Sequence, residues 1–100
     1  MRRDEFAKLI DTDDIDREEV QADTLYFVRD GWRGLSAVAF LCPCGCEGFH
    51  ILPVYPKGTP IPEFCVWEYT RTEDKITLSP SLLNGCKAHF FIRENKIIWC

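Results

Sequence analysis

The spacing of hydrophobic and polar positions changes near residue 24. Before that point, Phe6, Leu9 and Ile10 form one short apolar stripe at helical spacing. After it, short apolar runs alternate with turn residues, as is typical of β-strands. The pattern predicts a mostly β fold: a small antiparallel barrel or sandwich of six or seven strands, preceded by a short N-terminal helical segment. We expect one domain over residues 1–100, with an acidic segment at 1–22 and a β core at 23–100.

The predicted strands are joined by short turns. The segment 35–41 is rich in apolar residues and is expected to be buried on both faces. It leads into a cysteine-rich turn, from which the chain returns as a third strand. The strand at 75–78 is expected to end at Ser79-Pro80-Ser81, and Glu94-Asn95 is the predicted turn of a closing hairpin. The remaining predicted strands are 25–28, 49–54, 64–70, 88–93 and 96–100.

Cysteine spacing provides the strongest chemical signal in the chain. Three cysteines alternate in Cys42-Pro43-Cys44-Gly45-Cys46, and Cys86 and His89 follow at C-x-x-H spacing. Thiolates packed so densely repel one another unless a soft divalent metal binds them, and Zn²⁺ takes four Cys or His ligands in a tetrahedron. The two clusters therefore predict one zinc-knuckle-like site with Zn²⁺ bound by four of five candidates: Cys42, Cys44, Cys46, Cys86 and His89.

Other residues compete for roles near this metal. His50 is the rival imidazole, but we expect it to be a hydrogen-bonded strand residue. Cys65 and Cys100 are expected to be ordinary buried core residues and not ligands. Since at least four strong protein ligands are available, the site is expected to be closed and structural. Glu47 is then a solvated turn residue.

Charge and targeting signals narrow the range of partners. The net charge is −4, and most of the acidic residues lie within the first 30 positions. No basic patch typical of nucleic-acid binding is present, so nucleic acid is not an expected partner. Met1-Arg2-Arg3 is followed by acids and not by an apolar run. We therefore expect a cytoplasmic protein that does not insert into a membrane and that uses its cysteines for metal and not for disulfides.

Several motifs occur in an order that matches a known family. They lie at Phe40-Leu41-Cys42-Pro43-Cys44-Gly45-Cys46, Leu78-Ser79-Pro80-Ser81-Leu82, Cys86-Lys87-Ala88-His89-Phe90-Phe91-Ile92 and Ile97-Ile98-Trp99-Cys100. Over about residues 20–100 the chain resembles a small family of uncharacterised bacterial and phage proteins. The resemblance implies metal binding. It also implies a link to ubiquitin-like proteins with their activating and conjugating enzymes and isopeptidases, because genes for these lie beside those of some members.

These observations together favour a zinc-stabilised module that binds another protein. We expect an accessory of a bacterial ubiquitin-like conjugation or phage-defence system, with ubiquitin-like pathway components as partners and with no catalytic residue. The acidic stretch 11–19 and the proline-rich loop 53–62 are the expected partner surfaces. The alternative is a thiol- or zinc-dependent enzyme that uses a cysteine or an open zinc position near Cys42–Glu47.

Overall fold

The computed structural model describes residues 3–32, 35–46, 48–60, 67–83 and 88–100. Within these residues the chain forms eight strands and one 3-10 turn at Arg17–Glu19. The strands belong to one sheet and follow one another in chain order. They are β1 (Lys8–Thr12), β2 (Thr24–Trp32), β3 (Leu35–Leu41), β4 (Phe49–Pro56), β5 (Trp67–Arg71), β6 (Ile76–Leu83), β7 (His89–Arg93) and β8 (Lys96–Trp99).

The mostly β prediction is confirmed, with differences in detail. The described residues contain eight strands where six or seven were predicted, and they form one open sheet. Most neighbouring pairs are antiparallel, but β1 pairs with β2, and β4 with β5, in parallel. A parallel pair requires a connection that crosses the sheet. Residues 13–23 join the first parallel pair, and the sequence prediction places all but the last of them in the acidic segment. Residues 57–66 join the second pair; the start of the predicted strand 64–70 lies outside the described residues, and β5 begins at Trp67.

The N-terminal helical prediction is wrong for residues 8–12. This segment is strand β1, whose residues pair with Thr24–Val28 of β2. The helical stripe was too short to offset the cost of helix nucleation, whereas β2 offers a ladder of backbone partners. Helical structure in this region is limited to the 3-10 turn, where Asp16 accepts a hydrogen bond from the Glu18 amide. No helix in the described part of the chain is long and apolar enough to cross a membrane.

The larger hydrophobic core packs residues from the start of the chain against residues of the last two strands. Phe40 of β3 lies 5.7 Å from Phe6 and 6.4 Å from Phe90 of β7, measured between ring centroids. The sheet therefore curls around these rings. Backbone hydrogen bonds join its edges: the Phe6 amide donates to the Asn95 carbonyl at 2.7 Å, and the Ile97 amide donates to the Asp4 carbonyl at 2.8 Å.

The predicted burial of strand 35–41 on both faces is confirmed for its central residues. Val38 and Phe40 face the core, while Ala39 lies on the opposite face in a second buried cluster with Tyr26 and Val28. The β1–β2 connection covers that cluster and contributes Val20 to it. The Tyr26 hydroxyl joins this connection to the sheet, because it accepts from the Gln21 amide at 2.9 Å and donates to the Glu19 carbonyl at 3.3 Å.

Two acids of the N-terminal segment bind arginines of the same chain. Asp11 pairs with Arg71 of β5 at 2.7 Å, and Asp13 pairs with Arg29 of β2 at 2.8 Å. The Arg71 guanidinium also lies 5.0 Å from the centre of the Phe27 ring. Part of the acidic stretch 11–19 therefore serves the fold and is not a purely solvated surface.

The closing hairpin has its turn at Glu94-Asn95, as predicted. Both residues have positive φ, 49° and 66°, which is the geometry of a type I′ hairpin turn. The buried Asn95 side chain accepts from the Ile76 amide at 2.9 Å and donates to the Asp74 carbonyl at 2.9 Å. It therefore attaches the β7–β8 hairpin to the start of β6.

Removal of the central ring of the core should destabilise the fold strongly. Phe40→Ala is expected to lower the free energy of unfolding by about 3–5 kcal/mol, because the cavity would border Phe6 and Phe90. Urea denaturation followed by fluorescence measures this loss. Ile98→Ala is the control, since Ile98 is 41% exposed and its truncation should change stability by only about 0.5 kcal/mol. Similar losses for the two variants would contradict the described core.

Candidate functional site

An irregularity in β6 shapes the candidate site. Leu78 pairs with Ile92 of β7, and Leu82 pairs with Phe90, so residues 79–81 of β6 lie opposite Phe91 alone. The sequence predicted that this strand would end at Ser79-Pro80-Ser81, and that prediction is wrong. The strand continues to Leu83 and accommodates Pro80, which has no amide proton, within a bulge. Bulges redirect side chains and are frequent beside active sites.

The bulge brings a serine to a histidine. Ser81 Oγ lies 2.9 Å from Nε2 of His89, the first residue of β7. Ser81 is half-buried and His89 is exposed. Their neighbours Leu82 and Phe90 are buried in the core, so the two polar side chains lie on the outer face of the sheet. The pair is accessible from outside the protein.

The backbone around His89 is held from both sides. His89 pairs with Leu83 of β6, and its carbonyl accepts a hydrogen bond from the Cys100 amide at 3.0 Å. The ring is therefore carried by a strand with neighbours on both edges and not by a free loop. A rigid backbone of this kind keeps two reacting side chains in register.

A serine hydrogen-bonded to an imidazole nitrogen has a well-defined chemical use. The hydroxyl alone is a weak nucleophile, and an adjacent base within about 2.6–3.2 Å activates it. When the imidazole carries its proton on Nδ1, Nε2 accepts the Ser81 hydrogen bond and can remove that proton during attack. The distance between Ser81 Oγ and His89 Nε2 lies within the range of such a nucleophile–base pair.

The cysteine turn forms a second cluster. Cys42 Sγ lies 3.4 Å from Cys44 Sγ, and the sulfurs of Cys42, Cys44 and Cys46 are all within 4.8 Å of one another. Thiolates bound to tetrahedral zinc at 2.3 Å are about 3.8 Å apart, so the spacing and the donor type fit this metal. The turn is closed by the Cys42 amide, which donates to the Gly48 carbonyl at 2.8 Å, and Gly45 supplies a positive φ of 103°.

His50 lies beside the same turn. A Cβ atom placed on Gly48 would be 3.6 Å from both Cys46 Sγ and His50 Nε2, so these two atoms border one small space. The imidazole also packs near Phe40, with ring centroids 5.6 Å apart. Burial lowers the pKa of His50 from its ordinary value, which favours the neutral ring that metals bind.

The N-terminal segment connects the cysteine turn to the hairpin that carries His89. The Arg3 amide donates to the Pro43 carbonyl at 2.8 Å, and the Arg3 carbonyl accepts from Trp99 Nε1 at 3.1 Å. Trp99 in turn packs on Phe90, the neighbour of His89, with ring centroids 5.3 Å apart. The cysteine turn and the Ser81–His89 pair are therefore linked through Arg3 and Trp99.

The structure brings together three of the five predicted metal ligands: Cys42, Cys44 and Cys46. Cys86 lies outside the described residues, as do Glu47 and Cys65. Within the described part of the chain, His89 is not among the side chains that cluster with the three sulfurs, and its Nε2 is beside Ser81. The metal role of Cys86 and His89 remains a prediction.

Ser81 is the candidate site residue that the sequence reasoning missed. The C-x-x-H spacing assigned His89 to the metal and left no imidazole for a serine. A usable signal was nonetheless present, because Ser79-Pro80-Ser81 places polar residues and a proline inside an otherwise apolar strand. Proline within a strand marks an edge or a bulge, and bulges often position functional side chains.

Comparison with known proteins gives one result that bears on both clusters. A family model described as "Bacterial ubiquitination-like system serine protease (BubE)" matches residues 12–100. Searches of curated proteins and of solved structures gave no match. The family match covers the cysteine turn, Ser81 and His89, and it supports the expected link to a bacterial ubiquitin-like pathway. On the strength of this match over nearly its whole length, the chain belongs to the BubE family of bacterial ubiquitination-like systems.

Proposed function

We propose that this protein is a serine protease that acts on protein substrates of a bacterial ubiquitination-like system. Ser81 is the nucleophile and His89 is the general base. The observation that carries the proposal is the 2.9 Å separation of Ser81 Oγ and His89 Nε2 on an exposed face. The description of the family as a serine protease is consistent with this pair.

The proposed reaction proceeds through an acyl-enzyme. Ser81 Oγ attacks the carbonyl carbon of the scissile amide while its proton passes to His89 Nε2. The C–N bond then breaks, and His89 returns the proton to the leaving amine. A water molecule next attacks the ester carbonyl, transfers its proton to His89 and releases the acid, and the proton returns to Ser81. The peptide bond is hydrolysed without any change in oxidation state.

The position of the pair suits a large substrate. His89 is exposed on the outer face of β7, so an amide bond in a flexible segment of another protein has access to it. A ubiquitin-like protein or its conjugate has the required chemistry: an amide linkage at the end of a folded domain. This assignment of the substrate follows from the pathway of the family and from the exposed location of the pair.

For the cysteine turn we propose a structural Zn²⁺ site. Cys42, Cys44 and Cys46 supply three thiolates, and Cys86 or His50 supplies the fourth ligand. Bound zinc would contribute folding energy to a small domain. Because the turn is tied through Arg3 and Trp99 to the β7–β8 hairpin, the metal would also support the strand that carries His89.

The tests below distinguish two other functions from that of a serine protease. A zinc-stabilised binding module needs the cysteine cluster but no reactive serine. A thiol enzyme would use one of the cysteines near the turn. Cys42 is only 3% exposed, which limits its access to a substrate, whereas Cys46 is exposed. The Ser81–His89 hydrogen bond is the specific observation that favours the serine protease over both.

Reaction with a fluorophosphonate tests the proposed nucleophile. The probe should label the wild-type protein, and Ser81→Ala should abolish labelling. His89→Ala should slow labelling by about 10²–10⁴-fold, because the base that accepts the serine proton is lost. Ser79→Ala is the matched control, since Ser79 lies on the same strand and is exposed. Labelling that persists in Ser81→Ala, or that iodoacetamide blocks, would contradict the assignment.

Elemental analysis tests the proposed metal. Protein purified without added metal should contain one Zn²⁺ per chain. Cys44→Ser should lose the zinc and lower the melting temperature steeply, since structural zinc contributes on the order of 10 kcal/mol of folding energy. Cys100→Ser is the control and should retain the metal. The prediction of a buried Cys100 is wrong, because this residue is exposed just after β8. Less than about half an equivalent of zinc in the wild type would reject a structural site.

The zinc content of His89→Ala separates the two roles of His89. If His89 is a general base, His89→Ala should keep the zinc content and the melting temperature of the wild type. If His89 is a zinc ligand, His89→Ala should lose zinc and melt at a lower temperature. Loss of zinc in His89→Ala, with retention in His50→Ala, would return His89 to the metal and remove the proposed base, whether or not Cys86→Ser also loses zinc.

A further inference from the structure

A polar groove runs along the outer face of the sheet toward Ser81. Two hollows of about 110 Å³ each lie over β5 and β6. They share Thr70 of β5 and Thr77 of β6, which face each other across the two strands, so the hollows adjoin. One hollow reaches Lys75 at the start of β6, and the other reaches Ser79.

The groove and Ser81 lie on the same face. Ile76, Leu78 and Leu82 of β6 are buried in the core, whereas Thr77, Ser79 and Ser81 are not. This alternation persists through the bulge, so the last three form one row on the outer face. Glu68 and Thr70 continue that face on β5, because they pair with Ser79 and Thr77.

The shape of the groove fits an extended chain. The segment from Lys75, just before β6, to Ser81 contains seven residues, and its six steps span roughly 20 Å at about 3.3 Å per residue. An extended peptide of about six residues therefore has the same length as the row that leads to Ser81. A peptide laid along β6 would present alternate side chains to the two hollows.

The lining of the groove indicates the composition of that peptide. Thr70, Thr77 and Ser79 offer hydroxyl groups, while Lys57 and Glu68 add one charge of each sign at the same hollow. A hydrophobic peptide would desolvate these groups without satisfying them, which is unfavourable. Side chains that form hydrogen bonds or carry charge suit this surface.

We infer that the outer groove of β5 and β6 binds an extended, polar segment of the substrate, about six residues long, next to the bond that Ser81 cleaves. The inference rests on the proposed protease function and adds a substrate class to it. Thr70 is a specificity-determining residue in this account, because its side chain lines both hollows and makes no contact that the reaction requires.

Thr70→Tyr tests the groove. Tyrosine favours β-strands, so the fold should tolerate it, while its ring would fill the hollows. Ile10→Tyr is the matched control, because Ile10 is 42% exposed on β1 and the groove does not include it. The substrate probe is a mixture of fluorescence-quenched octapeptides with Ser, Thr, Lys, Glu and Gly at the interior positions. A second mixture with Leu, Val and Phe tests the preference for polar peptides.

Two measurements distinguish a loss of peptide binding in the groove from a loss of reactivity at Ser81. Thr70→Tyr should react with the small fluorophosphonate at the wild-type rate, and its kcat/KM for polar octapeptides should fall at least about tenfold, mainly through KM. Ile10→Tyr should match the wild type in both assays. Wild-type cleavage should also be slower for tetrapeptides than for octapeptides, and Thr70→Tyr should remove that difference.

Several results would overturn the inference. Equal octapeptide cleavage by Thr70→Tyr and Ile10→Tyr would show that the groove does not bind substrate, as would preferential cleavage of the apolar mixture. Fluorophosphonate labelling of Ser81 without cleavage of any octapeptide would reject the groove and leave the catalytic pair intact. A wild-type dimer that Thr70→Tyr dissociates would assign the groove to a second copy of the chain. Absence of labelling would reject the protease function itself, and the inference with it.

Discussion

The pairing of β6 with β7 is the constraint on which the candidate site depends. Leu82 and Phe90 are both buried, and their pairing fixes the register of the two strands around the core. A slip of one residue would turn those side chains outward, at a cost of about 1.5–3 kcal/mol for each buried apolar side chain. The hydrogen bond between Ser81 and His89 lies on the other face of the same pair. Core packing therefore determines the geometry of the proposed catalytic pair.

The rest of the fold stabilises that pair of strands. Phe90 packs against Phe40 of β3 and against Trp99 of β8, so the core reaches β7 from both sides. Asn95 attaches the closing hairpin to the start of β6 through two hydrogen bonds. The curled sheet allows strands that are distant in sequence to share these contacts. A chain of 100 residues can thereby hold two polar side chains in register on its surface.

Strand patterning in the sequence was enough to predict the β class, the two-sided burial of β3 and the turn at Glu94-Asn95. These depend on local signals: a strand rich in apolar residues, and an asparagine, which tolerates positive φ, in the turn dipeptide. Strand β1 was not predictable in this way, because Lys8–Thr12 becomes a strand only by pairing with β2. The bulge in β6 was missed for a similar reason. By itself, Ser-Pro-Ser predicts the end of a strand. The strand continues past it because Leu82 and Leu83 pair with β7, and this pairing exists only in the folded protein.

The candidate site was predicted in part. The alternating cysteines gave the cluster at Cys42, Cys44 and Cys46, because the residues of one short turn are necessarily near one another. The pairing of Ser81 with His89 joins two strands, and a bulge shifts their register, so spacing along the chain could not show it. The family match adds the reaction class that this geometry fits.

A crystal structure of the protein after reaction with a fluorophosphonate tests the central claim most directly. We expect a phosphorus atom bonded to Ser81 Oγ, with His89 Nε2 within about 3.2 Å of that oxygen. We also expect any bound zinc to lie at the Cys42–Cys46 turn without His89 as a ligand. Phosphorus on another residue, or His89 bound to zinc together with Cys86, would contradict the assignment of Ser81 and His89 as nucleophile and base.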